Sequence, residues 1–133
     1  MTETTLDRPV QTPFEQIGGV PTVRRLVDRF YDLMDGDPAY AALRALHAGE
    51  LAPMRDSLTG FLTAWLGGPR DWFVERPGAC VMSAHARLAI TPETAGQWTS
   101  AMGRALKDSA IQPSLRDQIE VAFTRMSQGM VRR

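Results

Sequence analysis

The chain is predicted to fold as an all-α domain. Apolar residues return at three- and four-residue intervals from Pro13 nearly to the end, and no stretch alternates with the period of two that a strand requires. Prolines stand where helices begin, at Pro21, Pro92 and Pro113, while the glycine pairs Gly18-Gly19 and Gly67-Gly68 stand where helices stop.

The elements follow in order. Residues 1–12 are polar, contain Pro9 and read as a flexible arm ahead of one domain over 13–133. A short helix over 13–17 ends at Gly18-Gly19. The next, over 21–34, carries one stripe of Val23, Leu26, Val27, Phe30, Tyr31 and Met34. It ends near Asp35-Gly36-Asp37-Pro38, and the three-residue spacing of Tyr40, Leu43 and Leu46 predicts a short 3₁₀ or α turn. A helix over 51–66 presents Leu51, Met54, Leu58, Phe61, Leu62, Trp65 and Leu66, and Gly67-Gly68-Pro69 stops it. Residues 69–78 read as irregular, although they hold Trp72 and Phe73. Residues 81–87 make a short helix bearing His85. Thr91-Pro92-Glu93 supplies a capping hydroxyl, a proline and an acid for a helix reaching about Lys107, with Trp98, Ala101, Met102 and Ala105 on one face. Pro113-Ser114 opens the last helix, where Leu115, Ile119, Ala122, Phe123, Met126 and Met130 align.

Composition excludes several classes of function. With 133 residues the chain buries roughly two-thirds of its unfolded surface in a single core. Fifteen basic residues balance fifteen acidic ones with no run of one sign, so the concentrated basic face of a nucleic-acid binder is missing. No apolar run reaches bilayer length and the arm has no signal-peptide core, which leads to the expectation of a soluble, cytoplasmic protein without a membrane partner. One cysteine, Cys80, cannot form an internal disulfide and reads as a small buried residue. Two histidines and that cysteine are too few for an all-protein zinc site, so a metal would have to arrive with a prosthetic group. Paired carboxylates within the apolar stripes, the mark of side-chain acid–base catalysis, do not occur.

His85 carries the most information. A lone imidazole in an apolar helical stretch is either a core histidine bonded to a carbonyl or the single protein ligand of an iron that brings its own ring of donors. Large side chains of mixed shape, among them Phe30, Phe61, Trp65, Trp98, Met102, Phe123 and Met126, fill the stripes, as in an ordinary core or around a cofactor. Tyr31 and Trp98 each add one hydrogen-bond donor to an apolar face. Buried donors need acceptors. Each is satisfied by a nearby carbonyl, or both converge with His85 on a small exogenous acceptor.

The ordered set Phe14-Glu15-Gln16-Ile17-Gly18-Gly19, Phe30-Tyr31, Phe61 followed by Trp65-Leu66-Gly67-Gly68-Pro69, His85-Ala86-Arg87-Leu88-Ala89-Ile90 and Trp98 resembles the truncated haemoglobins, most closely their second group, from Pro13 to about Arg132. The resemblance implies a shortened globin fold, helices packed two-on-two as a sandwich around haem b. It makes His85 the iron ligand, and Tyr31, Trp98 and His47 the distal groups that stabilise a bound ligand. It makes Met54, Leu58 and Leu62 the distal wall, and gives Trp72, Met82, Leu88, Ile90, Trp98 and Phe123 to the haem pocket beside His85. Two departures stand out. Where the family often has Gly-His-Pro and a basic residue before its histidine, this chain has Pro77-Gly78-Ala79 and Ala84, and Leu88 replaces a common phenylalanine. Contacts to the haem propionates are thereby left to Arg87, Arg76 or Arg55.

The implied chemistry is binding of dioxygen, nitric oxide or another small ligand at an open iron position. Donors around a ligand on which negative charge develops strengthen with that charge. Two such donors disfavour rapid unloading and favour nitric oxide detoxification or peroxidase-like chemistry, supported by an unidentified reductase. A globin that senses or stores a gas without turnover is the first alternative, and a haem-free helical interaction module the second. The arm and the faces of the last two helices leave room for a homodimer.

Overall fold

The computed structural model describes residues 11–47, 49–77 and 89–131. Most of the arm, Cys80, and the short helix expected over 81–87, with Met82, His85, Arg87 and Leu88, lie outside the described residues. Among the described residues there are seven α-helices and one 3₁₀ turn, in the order α1 (Pro13–Ile17), α2 (Val20–Gly36), the 3₁₀ turn Pro38–Tyr40, α3 (Ala41–Ala45), α4 (Ala52–Trp65), α5 (Asp71–Val74), α6 (Pro92–Asp108) and α7 (Pro113–Gly129). The all-helical expectation holds. Residues 69–78, expected to be irregular, contain the single helical turn of α5. Four residues are too few for apolar periodicity to register.

Local chemistry explains the boundaries. Thr12, assigned to the arm by sequence, caps α1: its hydroxyl accepts from the Glu15 amide, and the Glu15 carboxylate accepts from the Thr12 amide. Gly18, at φ 110°, then reverses the chain. At the end of α4, Gly67 (φ 100°) donates to Ala64 O and Gly68 to Thr63 O, the paired bonds of a Schellman stop. A Cβ on Gly68 would stand 2.8 Å from the Phe14 ring and from Thr63 O, so glycine is what lets α1 lie on this corner. There the Phe14 amide donates to Leu66 O at 2.9 Å. The Thr91 and Thr94 side chains cap each other's amides to start α6.

α2 packs against both α4 and α6, and α6 packs against α7, giving two helix pairs laid across each other. The core runs along α2, where Val23, Leu26, Val27 and Phe30 are wholly buried, and meets Met102, Ala105 and Leu106 of α6 and Phe123 of α7. Polar groups pin the short central turns onto α6. The Leu43 amide donates to Gln97 Oε1 at 2.9 Å, Tyr40 Oη and Ser100 Oγ share a bond of 3.0 Å, and Arg104 reaches Asp37 at 2.8 Å. No described helix is long and apolar enough to cross a membrane.

Candidate functional site

Between the two pairs lies a cavity of about 440 Å³. Its walls come from nearly every element: Tyr31 of α2, Leu43, Leu46 and His47 around α3, Met54, Ser57, Leu58, Phe61 and Leu62 of α4, Trp72 of α5, Ile90, Thr94, Ala95 and Trp98 at α6, and Met126, Ser127 and Met130 of α7. Its size and its mostly apolar lining, broken by a few polar groups, are those of a cofactor pocket.

Tyr31 is 3% exposed, with its ring edge-on to Phe30 at 4.9 Å and to His47 at 6.0 Å. Burial pushes its phenol pKa up to about 12, and the nearby Arg55 only partly opposes this. At neutral pH the hydroxyl therefore stays protonated and able to donate. Trp98 is wedged between Phe30 at 5.7 Å and Phe123 at 5.4 Å, both contacts edge-to-face. Neither the Tyr31 hydroxyl nor the Trp98 indole N–H has a hydrogen-bond partner among the described residues. His47 Nδ1 lies 3.0 Å from Leu43 O. A carbonyl only accepts, so Nδ1 donates this bond.

Trp72 stands over Gly60, where a Cβ would meet the indole Cδ1 at 2.6 Å, and it packs edge-on to Phe61 and Phe73. Its Nε1 is buried and has no partner among the described residues. By contrast, the Ser127 hydroxyl is spent on Ala95 O and the Thr94 hydroxyl on the cap of α6. Among the described residues, the Tyr31, Trp98 and Trp72 donors of this largely apolar chamber have no hydrogen-bond partner. That donor set fits a flat, largely apolar group carrying a small polar ligand.

Of the residues singled out from sequence, Tyr31, His47, Met54, Leu58, Leu62, Trp72, Ile90 and Trp98 line this one cavity. Phe123 does not; it lies behind Trp98 and stacks on Trp65 at 5.0 Å. Met82, His85 and Leu88 lie outside the described residues. Of the arginines weighed for propionates, Arg55 is committed to Asp28 and Asp32, and Arg76 lies over the Trp72 ring at 4.9 Å while pairing with Glu75. Sequence reading missed Leu43, Leu46, Ser57, Phe61, Thr94, Ala95, Met126, Ser127 and Met130 as lining. Ser57 lies three residues after Met54, and Thr94 and Ala95 one turn before Trp98, so helical spacing from the residues already chosen would have reached them.

A family model for bacterial-like globins matches residues 12–132. The chain belongs to this globin family. Within it, the group II truncated haemoglobins are its relatives. It is 29% identical over 105 residues to the group 2 truncated hemoglobin YjbI of Bacillus subtilis (strain 168), covering 79% of this chain and 76% of that protein. The group II 2-on-2 hemoglobin of Agrobacterium tumefaciens superposes with a TM-score of 0.90 at 30% identity, covering 94% of this chain and 97% of that one. The cold-adapted truncated hemoglobin of Pseudoalteromonas haloplanktis TAC125 gives 0.89 at 27% identity, covering 92% and 99%. The hemoglobin of the thermophile Chloroflexus aurantiacus gives 0.85 at 32%, covering 93% and 100%. As a truncated globin, the protein binds haem and small gaseous ligands such as dioxygen.

Proposed function

We propose that this globin holds haem b, retains dioxygen in its cavity and converts nitric oxide to nitrate. The observation that carries the reading is the pair of unspent donors, Tyr31 and Trp98, on two different helices facing one apolar cavity. Haem b, when bound, supplies an iron coordination position open to a diatomic ligand and one-electron redox chemistry. His85 would be its protein ligand, with Met54, Leu58, Leu62 and Ile90 closing the apolar wall and Trp72 offering its unpartnered N–H.

The residues of the chain then set how long the ligand stays. The Tyr31 hydroxyl holds its proton and donates, and the Trp98 N–H donates from the opposite helix pair. The apolar wall excludes water that would compete for both donors. Each donor contributes about 1–3 kcal/mol, or about 5- to 150-fold in dissociation rate. A store that must unload gains nothing from such retention, whereas a reaction that waits for a second diatomic does. One nitric oxide, one dioxygen and one electron give one nitrate, an external reductase returning the electron. Peroxidase-like use of the same site is a second reading, favoured by the imidazole of His47 in the cavity wall.

Three measurements test the proposal. A pyridine haemochrome spectrum of the purified protein identifies the haem as type b. Stopped-flow dissociation of dioxygen from Tyr31→Phe, Trp98→Phe and the double variant is expected to accelerate for each; an unchanged rate in the double variant would refute the retaining role. Oxygenated protein mixed with nitric oxide should yield one nitrate per haem, and release of free dioxygen without nitrate would sink the turnover.

A further inference from the structure

We propose that Arg55 is the positioning residue for Tyr31: it reaches from α4 to α2, fixes where the phenol stands in the cavity wall and places a permanent positive charge beside it. The inference rests on the reading of Tyr31 as a ligand donor.

Arg55 follows Met54 and precedes Ser57 on α4, both in the cavity wall, yet its own head is turned to α2. Nη1 donates to the backbone carbonyl and the carboxylate of Asp28, both at 3.1 Å, and Nη2 donates to the Asp32 carboxylate at 2.8 Å. Asp28 and Asp32 bracket Tyr31 along α2, three residues before it and one after. Between these anchors the guanidinium carbon lies 5.7 Å from the centre of the Tyr31 ring. A second link runs the other way, from Arg24 of α2 to Asp28 at 3.3 Å and to Asp56 of α4 at 2.7 Å. The two helices are therefore cross-linked twice, and the Arg55 link is the one at the level of the phenol.

Stability alone is a poor explanation for this arrangement. The carboxylates are 40% and 59% exposed, and pairs of that kind contribute little to folding. The arginine side chain is only 22% exposed, and one of its bonds goes to a backbone carbonyl, which fixes it in place. Burial disfavours its charge, but the bonds to Asp32 and Asp28 outweigh that and raise its pKa, so the charge is never lost. The fork is what the geometry needs: a planar head can serve two carboxylates and a carbonyl while lying against a ring, whereas an ammonium cannot do all of this. With Arg55 at 5.7 Å and Phe30 edge-on at 4.9 Å, the ring has little room to swing. The cation also favours the negative charge a phenol gains as it lends its hydrogen to an acceptor. It opposes the effect of burial on the Tyr31 pKa in the same sense.

The test uses haem-loaded protein in the ferrous carbonyl form. The infrared C–O stretching frequency, which reports the field at the ligand, is compared with the dioxygen dissociation rate in Tyr31→Phe, Arg55→Met, Arg55→Lys and Asp32→Asn. Arg55→Met is expected to move the stretch in the same direction as Tyr31→Phe and to speed dissociation on the order of fivefold or more. Arg55→Lys, keeping the charge without the fork, should recover part of the shift, and Asp32→Asn should move it part-way. A shift with Tyr31→Phe but none with Arg55→Met, alongside a lowered melting temperature, would overturn the inference alone and leave Arg55 a structural cross-link. Should Arg55→Met fail to fold, unchanged stretch and rate in both Arg55→Lys and Asp32→Asn overturn it equally. If Tyr31→Phe itself moves neither readout, the donor role of Tyr31 fails and the inference falls with it.

Discussion

Removing one oxygen atom, in Tyr31→Phe, should change how folding stability depends on alkaline pH. The folded-state pKa of Tyr31 is raised to about 12, and an unfolded tyrosine titrates near about 10. Below about pH 10 both states keep the proton and the group leaves stability untouched. Between the two values the unfolded chain has lost a proton that the folded protein retains, so stability falls as pH rises, and the loss is complete near the folded value. At pH 11, one unit into that window, the loss is about 1.4 kcal/mol, and at pH 12 it exceeds about 2 kcal/mol. Every other ionisable group is common to both proteins and cancels in the comparison. At neutral pH the substitution deletes a buried hydroxyl with no described partner, so the two proteins should agree within about 1 kcal/mol. Urea unfolding of the haem-loaded proteins, followed by circular dichroism at pH 9 and pH 11, gives the comparison. The wild type should lose about 1.3 kcal/mol more than the variant between these pH values. Equal losses would mean that the phenol ionises as readily in the cavity as in water, and the argument that it is a fixed donor would be wrong.

Three further substitutions probe how the frame holds the site. Gly68→Ala would put a Cβ 2.8 Å from the Phe14 ring and from the Thr63 carbonyl oxygen. The ring has room to turn but the carbonyl does not, so a destabilisation of about 1–3 kcal/mol is expected, read as a lower thermal midpoint with an unchanged ferrous carbonyl spectrum. Gly60→Ala would press on Trp72 at Cδ1 (2.6 Å), Cγ and Cβ, displacing the indole from the cavity wall. Haem transfer to an acceptor apoprotein should quicken severalfold while helix content, which gains about 1 kcal/mol of propensity from the alanine, stays level. Thr91→Ala removes the hydroxyl that opens α6 and should cost about 1 kcal/mol in chemical denaturation, with Thr91→Ser restoring most of it.

What the sequence revealed and what it hid follow from the same physics. Helix ends were legible because capping is local: Thr91-Pro92-Glu93 and Gly67-Gly68 act on groups within four residues, and α6 and α4 begin and end within a residue or two of the expected places. Tyr31 and Trp98 were legible as unusual because each puts a polar atom into an apolar stripe. The division of each stripe between core and cavity was not. Phe123 and Met126 lie on one stripe of α7, yet Met126 faces the cavity and Phe123 fills the space behind Trp98. A period of 3.6 says which side of a helix is buried, whereas the void depends on how far two helix pairs stand apart. That distance is set by pairs remote in sequence, such as Gln97 with Leu43 and Arg29 with Asp108. Arg55 was weighed as a propionate partner for the same reason, since a lone arginine in the sequence does not disclose the carboxylates already holding it.

Those remote contacts also mean that the two donors are not independent. Phe30, wholly buried, touches Tyr31 at 4.9 Å on its own helix and Trp98 at 5.7 Å on α6. Trp98 is backed in turn by Phe123, which also stacks on Trp65 at the end of α4. A ring displaced at either donor therefore unloads a neighbour that supports the other. Residues that share a packed partner couple by about 0.5–3 kcal/mol, so the dissociation rates of the two single variants should not multiply to that of the double variant. Independence would fit donors held by separate scaffolds. Coupling is what this packing demands, because α2 sets both the position of its own phenol and the ring against which α6 holds its indole.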